Sequence, residues 1–334
     1  MTERRLRFVD ELFAEAEVQF EQKELSPALI FEAQLLGMSE KEAVKIQLPD
    51  AVTIKALLQG FALSVSSLNT YLRCPLSFYY EHVLKVPTVT SEAAANGTAM
   101  HNSLQRLFER MMADPEKNFL PVDKFVQLYE FEMRKLRGYF GRKEYERRLA
   151  IGKNNLAKYY HEHINSWRKH VTVKVEFDVR HVEVEGVPIK GVIDKIEYLP
   201  KEQVRLVDYK TGSLDNSKVA RPSEKNPLGG NYWRQLAFYK ILFENHRDTL
   251  QTVRSAAISY LEPDTKGRFP EKEMRFSPKD VALVTGMIKT AYTKIKAHEF
   301  DWGCGEKHCV WCNFAQENVI VDSLVDVEVE ELDD

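Results

Sequence analysis

The stretch GVIDKIEYLPKEQVRLVDYKTG, residues 191–212, constrains this chain more than any other segment. Two runs of β-branched and apolar residues flank Pro200-Lys201-Glu202, which predicts an antiparallel hairpin. Pairing the strands symmetrically about Lys201 sets Glu197 opposite Arg205, a favourable cross-strand charge pair. The same register sets Asp194 opposite Asp208, with Cβ atoms roughly 5 Å apart. Like charges at that spacing destabilise a sheet unless something positive stands between them. Lys210, two residues beyond Asp208, projects from the same face. Val192, Ile196, Val204 and Leu206 share that face, so an apolar surface is expected to end in two carboxylates and an ammonium. Converging carboxylates suit a hard divalent cation, Mg²⁺ or Mn²⁺. A lysine beside such a cation can orient or deprotonate a bound water, which is equipment for phosphodiester hydrolysis. A purely structural Asp–Lys–Asp salt bridge fits the hairpin equally well.

The surroundings narrow the choice. Residues 1–60 read as helical, with Pro27 and Pro49 as breaks, and show no chemistry. A tyrosine-rich helix is expected from Leu63 to Leu84, capped by Ser64 or Ser66. The chain is then expected to turn at Asn96–Gly97 into a second helix, with Met100, Leu104, Leu107, Phe108 and Met111 at helical spacing and His101 in its first turn. Long helices fill 122–170. Near Val171 the period changes to two, and VTVKVEFDVRHVEVEG begins the strands, with a turn at Glu185-Gly186. Residues 213–230 form a polar loop. A helix carrying Trp233, Gln235, Leu236 and Tyr239 follows, then the strand RSAAISYL, and Ser277-Pro278 opens a last long helix. No internal repeat is present. The order implies α/β or α+β.

Four short motifs stand along this framework: Gly97-x-x-x-His101, Gly191-x-x-Asp194, Asp208-Tyr-Lys210-Thr-Gly212 and Gln235-x-x-x-Tyr239. Each alone is weak. Gln235 and Tyr239 are one helical turn apart on one face, a pairing that usually means packing, and a histidine in a helix is commonly structural. Together, in this order, the motifs resemble the RecB-like branch of the PD-(D/E)XK nuclease superfamily, related to AddB-type helicase–nuclease subunits and CRISPR-associated exonucleases. The resemblance covers roughly residues 62–318. It implies a restriction-endonuclease-like core, a mixed central sheet flanked by helices, with a nuclease domain over 61–318. Residues 1–60 would be a helical extension or junction, and 319–334 an acidic tail. It further implies that His101, Asp194, Asp208 and the backbone carbonyl of Tyr209 bind Mg²⁺ or Mn²⁺, with Asp194, Asp208 and Lys210 catalytic. Gln235 and Tyr239 would support the site and the DNA, and Glu176 would be a peripheral acidic partner.

The same resemblance gives the four cysteines a purpose. Clustered cysteines in a cytosolic chain suggest metal more than disulfides. In the related nucleases a [4Fe–4S] cluster takes one ligand before the nuclease motifs and three after them. Cys74 matches the first, and Cys309 and Cys312 match the next two. The usual last position falls on Asn318, leaving Cys304 as the fourth candidate. Zinc, helped by His308, and no metal at all are the alternatives.

Composition excludes little beyond this. No apolar run is long enough for a membrane span, and the charged start, MTERRLRFVDELFAEAE, is unlike a secretory signal, so a cytoplasmic setting is expected. Net charge is −3, but the tail from Asp322 to Asp334 holds much of the acid and leaves the body positive. Basic residues between Arg134 and Lys169 could track a phosphate backbone, although interleaved glutamates favour a solvated helix face. No phosphate-binding Gly-x-x-x-x-Gly-Lys-Ser/Thr loop occurs, so this sequence is not itself an ATP-driven helicase; the resemblance implies a helicase polypeptide or subunit as its companion. The functional expectation is a metal-dependent DNA exonuclease of repair or recombination. A catalytically silent DNA-end-binding or scaffolding module is the alternative.

Overall fold

A computed structural model describes residues 44–169, 172–247 and 249–317. The helices expected before residue 44, Asn318 and the acidic tail lie outside the described residues. Asp50, directly after Pro49, caps α1 (Ala51–Leu57) by accepting from the backbone N–H groups of Val52 and Thr53. Ser64 opens α2 (Val65–Arg73) in a capping box with Ser67. The helix expected to run unbroken to Leu84 is interrupted at Cys74. Pro75 disfavours helical geometry in the residue before it, and Cys74 is extended at φ −162 and ψ 108. Cys74 therefore ends α2 and caps α3 (Pro75–Phe78), which a π-helical turn, Tyr79–Val83, continues.

α4 (Glu92–Ala113) departs from expectation at its start. Its cap is Ser91, and the helix passes straight through Asn96-Gly97, placing His101 in its third turn and not its first. A Cβ on Gly97 would stand 3.1 Å from Thr211 Oγ1. The glycine marks a close approach of α4 to the end of the hairpin, not a turn. α5 (Val122–Lys135) and α6 (Arg142–Trp167) pack behind it.

The five strands β1 (Val173–Val184), β2 (Val187–Leu199), β3 (Gln203–Lys210), β4 (Thr252–Tyr260) and β5 (Glu271–Met274) form one sheet in sequence order. β3 and β4 are parallel and the other neighbours antiparallel. A parallel pair needs a crossover, and it carries α7 (Asn231–Glu244). α8 (Pro278–Lys296) begins with a capping box between Ser277 and Asp280. This is an α/β fold with a mixed sheet between helices, consistent with a restriction-endonuclease-like core. Among the described residues, no helix is long and apolar enough to cross a membrane.

The hairpin register matches the one the sequence dictates: Glu197 faces Arg205 and Lys195 faces Val207. Alternation then sorts side chains onto two cores. Ile196, Val204 and Leu206 pack with α2, α7 and α8, whereas Val207 and Tyr209 pack with α4, α5 and α6. Val192, expected with the first group, is 40% exposed and lines a cleft instead. Lys195 and Glu197 are buried on the second face, where Lys195 Nζ lies 2.8 Å from Glu197 Oε1 and 4.6 Å from the centre of the Phe108 ring. Arg205 donates to the other oxygen of Glu197 at 2.8 Å and also pairs with Glu271. Several basic residues of α6 pair with glutamates: Arg142 with Glu146, Arg147 and Arg148 with Glu144, and Lys153 with Glu130.

Candidate active site

Asp208 sits two residues before the end of β3 and is 2% exposed. Lys210 Nζ approaches its Oδ2 at 2.7 Å. From the crossover helix α7, Gln235 Nε2 donates to Asp208 Oδ1 at 2.7 Å and to the Tyr239 hydroxyl at 3.0 Å. One amide thus fixes both the carboxylate and the phenol one turn away. Asp194 lies just past the last ladder pair of β2 and β3, where its Oδ2 accepts the backbone N–H of Tyr209 at 2.8 Å. His101 Nδ1 comes within 3.4 Å of the same oxygen. Two glycines make this convergence possible. Gly97 lets α4 reach the end of β3, and a Cβ on Gly191 would stand 3.0 Å from Leu242 Cδ2 of α7.

Glu176 belongs to the group more closely than its peripheral assignment suggests. Its carboxylate, the His101 ring and Asp194 each offer a ligand atom, all within 4.8 Å of one another. Glu176 has a φ of +46° inside β1 and interrupts the ladder between Val175 and Phe177. The ladder keeps one register on either side of Glu176, which sets it across from Asp194, after a bulge between Val179 and Val182 has shifted the strand by one residue. Pairing from the Glu185-Gly186 turn alone sets Glu176 one position away from Asp194, because the bulge leaves no mark in the alternation.

The electrostatics are those of crowded acids. Burial, then repulsion from Asp208, pushes the Asp194 carboxyl well above the usual carboxylate range. Burial and Asp208 act on Glu176 in the same direction. Burial alone would lower Lys210, yet the Asp208 carboxylate outweighs it, so the lysine titrates above its ordinary value and remains an ammonium. Burial holds His101 below the usual imidazole range against the pull of Asp208, leaving a neutral ring with a lone pair to offer. Three carboxylates and one neutral imidazole, offset by a single ammonium, are a donor set that fits a hard divalent cation.

Glu176 and Asp194 open into a cleft of about 810 Å³ along the β1–β2 hairpin and the start of α2. Ser64, Ser66, Arg180 and Lys190 line it, together with Gln235 and Tyr239. Ser64 and Ser66 drew notice in the sequence only as helix caps, and nothing in the spacing of Arg180 and Lys190 connects them to the site. A second convergence, Cys74 with Cys304, Cys309 and Cys312, borders a separate cavity. His308 is exposed at the rim of that cavity and lies outside the four-thiol group.

A profile of the PD-(D/E)XK nuclease superfamily matches residues 62–316, most of the chain. The chain belongs to this superfamily. As a PD-(D/E)XK protein it also has similar solved structures, and two of them are distant in sequence. One, from Eubacterium rectale and described as a candidate exonuclease, is 12% identical with a TM-score of 0.49, covering 80% of this chain and 93% of its own. A second, SSO0001, is 17% identical with a TM-score of 0.30, covering 74% and 86%. No curated protein matches the chain.

Proposed function

We propose that this PD-(D/E)XK chain is a metal-dependent deoxyribonuclease of the RecB-like branch. In this reading it trims DNA from an end during repair or recombination, in the cytoplasm, beside a helicase polypeptide that supplies the motor. The observation that carries the reading is buried Asp208, held between Lys210 and Gln235, beside Asp194 and Glu176, which line a cleft and converge with His101. The motif order Gly97/His101, Gly191/Asp194, Asp208/Lys210 and Gln235/Tyr239 supports the branch, and the resemblance to helicase–nuclease proteins is what suggests a helicase beside it.

His101, Asp194 and Asp208, with the carbonyl of Tyr209 and with Glu176 beside them, would hold Mg²⁺ or Mn²⁺. Such an ion supplies Lewis acidity toward a phosphate oxygen and a more acidic water. The protein's own contributions are positional. Gln235 fixes the rotamer of Asp208, and the Tyr209 amide fixes that of Asp194. The Lys210 ammonium is placed to stabilise the charge that grows on phosphate oxygens as the bond breaks. Arg180 and Lys190 along the cleft would take the phosphates of an incoming strand.

The test is cleavage of linear single- and double-stranded DNA, and of closed circles, with Mg²⁺, with Mn²⁺ and with EDTA. The wild-type chain is expected to degrade linear DNA only with a divalent ion, and Asp208→Ala to cut nothing detectable while keeping its circular-dichroism spectrum. Gln235→Ala should weaken metal affinity by about 10–100-fold, as loss of a ligand's hydrogen-bond partner does. Persistent cleavage by Asp208→Ala would sink the assignment. A wild-type chain that binds DNA ends and cuts with neither ion is a binding module.

A further inference from the structure

Cys74 lies in the break between α2 and α3, and Cys304, Cys309 and Cys312 follow α8. Their sulfurs form a tight set. Cys74 and Cys312 are 3.8 Å apart, Cys304 and Cys312 are 3.8 Å apart, and so are Cys74 and Cys309. All four lie within 4.8 Å of one another, and none is in a disulfide.

The [4Fe–4S] cluster that the family resemblance implies does not fit inside that set. Each cysteine of a cubane binds a different iron, so the four sulfurs must stand on the order of 6 Å apart around the core. A [2Fe–2S] rhomb brings thiolates close in pairs but separates the two pairs by a comparable distance. A single tetrahedral ion is different. Metal–sulfur bonds of about 2.3 Å at tetrahedral angles place all four sulfurs about 3.8 Å apart.

We propose that the four cysteines hold one zinc ion in a closed Cys₄ site, and not an iron–sulfur cluster. The surroundings are built for thiolates at this spacing. The Ser77 backbone N–H points to Cys74 Sγ at 3.4 Å, and Ser77 Oγ lies 3.4 Å from Cys309 Sγ. Donors to ligating sulfur are the supporting shell that such sites require. A Cβ on Gly303 would stand only 2.5 Å from Cys312 Sγ, so the chain carries glycine where the sulfur must pass. Four protein thiolates leave no open coordination position, which makes the site structural. Contacts around it knit the same two segments: Leu76 N–H donates to the Trp302 carbonyl at 3.0 Å, and Trp311 stacks on Tyr80 with ring centres 4.6 Å apart. Trp311 Nε1 also donates to Glu81 at 3.0 Å. The ion ties residues near 74 to residues near 312.

This inference does not rest on the nuclease reading, because metal content is measured without DNA. The full chain is expressed in medium holding both iron and zinc and purified anaerobically without chelators. Elemental analysis should give about one zinc per chain, with no acid-labile sulfide and no brown colour. Exchange into Co²⁺ should give the visible bands of tetrahedral cobalt thiolate. Gly303→Ala and Cys304→Ser should each cut retained zinc several-fold. If either variant fails to fold, cobalt titration of the wild-type chain decides alone. Iron with labile sulfide overturns the proposal. One iron without sulfide overturns the choice of zinc, and a metal-free chain that takes up no cobalt overturns the site.

Discussion

Glu197 is 3% exposed and yet carries charge to unusual acidity. Burial pushes its carboxyl up, but Lys195 and Arg205 outweigh burial and hold it at about 2, against an ordinary value of 4.5. A folded value below the unfolded one means stability that is fully present above pH 4.5 and lost as pH falls from there toward about 2. The shift corresponds to on the order of 3 kcal/mol. Glu197→Gln should lower stability at neutral pH, where it leaves Lys195 buried without its partner, and should flatten the acid limb of a urea-midpoint profile. Parallel acid limbs for wild type and variant would contradict this account. The Glu197–Arg205 pairing was legible from the hairpin register alone. Its burial was not, because strand alternation says nothing about the helices that cover that face. The same limit applies at the site. Asp194, Asp208 and Lys210 could be placed together from sequence, while Glu176 reaches them through a backbone conformation that alternation does not encode.

At the scale of elements, α4 decides how His101 meets the hairpin. Gly97→Ala should favour the helix itself by up to about 1 kcal/mol. The new methyl, however, would press on Thr211 from 3.1 Å. We expect α4 to yield, moving His101 away from Asp194. Folding stability should change little, and the Mg²⁺ concentration needed for half-maximal cleavage should rise several-fold. Adding Thr211→Ala should restore the wild-type requirement, a non-additivity that marks a direct contact. An unchanged metal requirement in Gly97→Ala would show that the close approach does not set the position of His101. This contact also explains why the start of α4 was misread. Asn96-Gly97 has the local chemistry of a turn, and only a residue more than a hundred positions away gives the glycine its reason. The break at Cys74, by contrast, is written in the sequence, since Pro75 disfavours helix in the residue before it.

For the whole molecule, the succession of helices, strands, helix and strand was readable from periodicity. The parallel β3–β4 pairing was not, because pairing partners leave no period. β5 escaped notice because four residues reading Glu-Lys-Glu-Met look like a charged loop. The segments around Cys74 and Cys312 meet at the four thiols and share only one of the two cores that cover the sheet. Removing the zinc should therefore raise hydrogen exchange in residues 65–83 and 299–317 much more than in β2 and β3. Uniform loss of protection would mean that the ion supports the entire fold. The same long reach sets a schedule for synthesis. Cys74 and Cys312 are 238 positions apart, and a ribosome adding 5–20 residues per second needs on the order of ten to fifty seconds to cover that distance. Throughout that interval Cys74 waits without its partners, and a nascent thiol that waits is one that oxidants and stray metals can reach first.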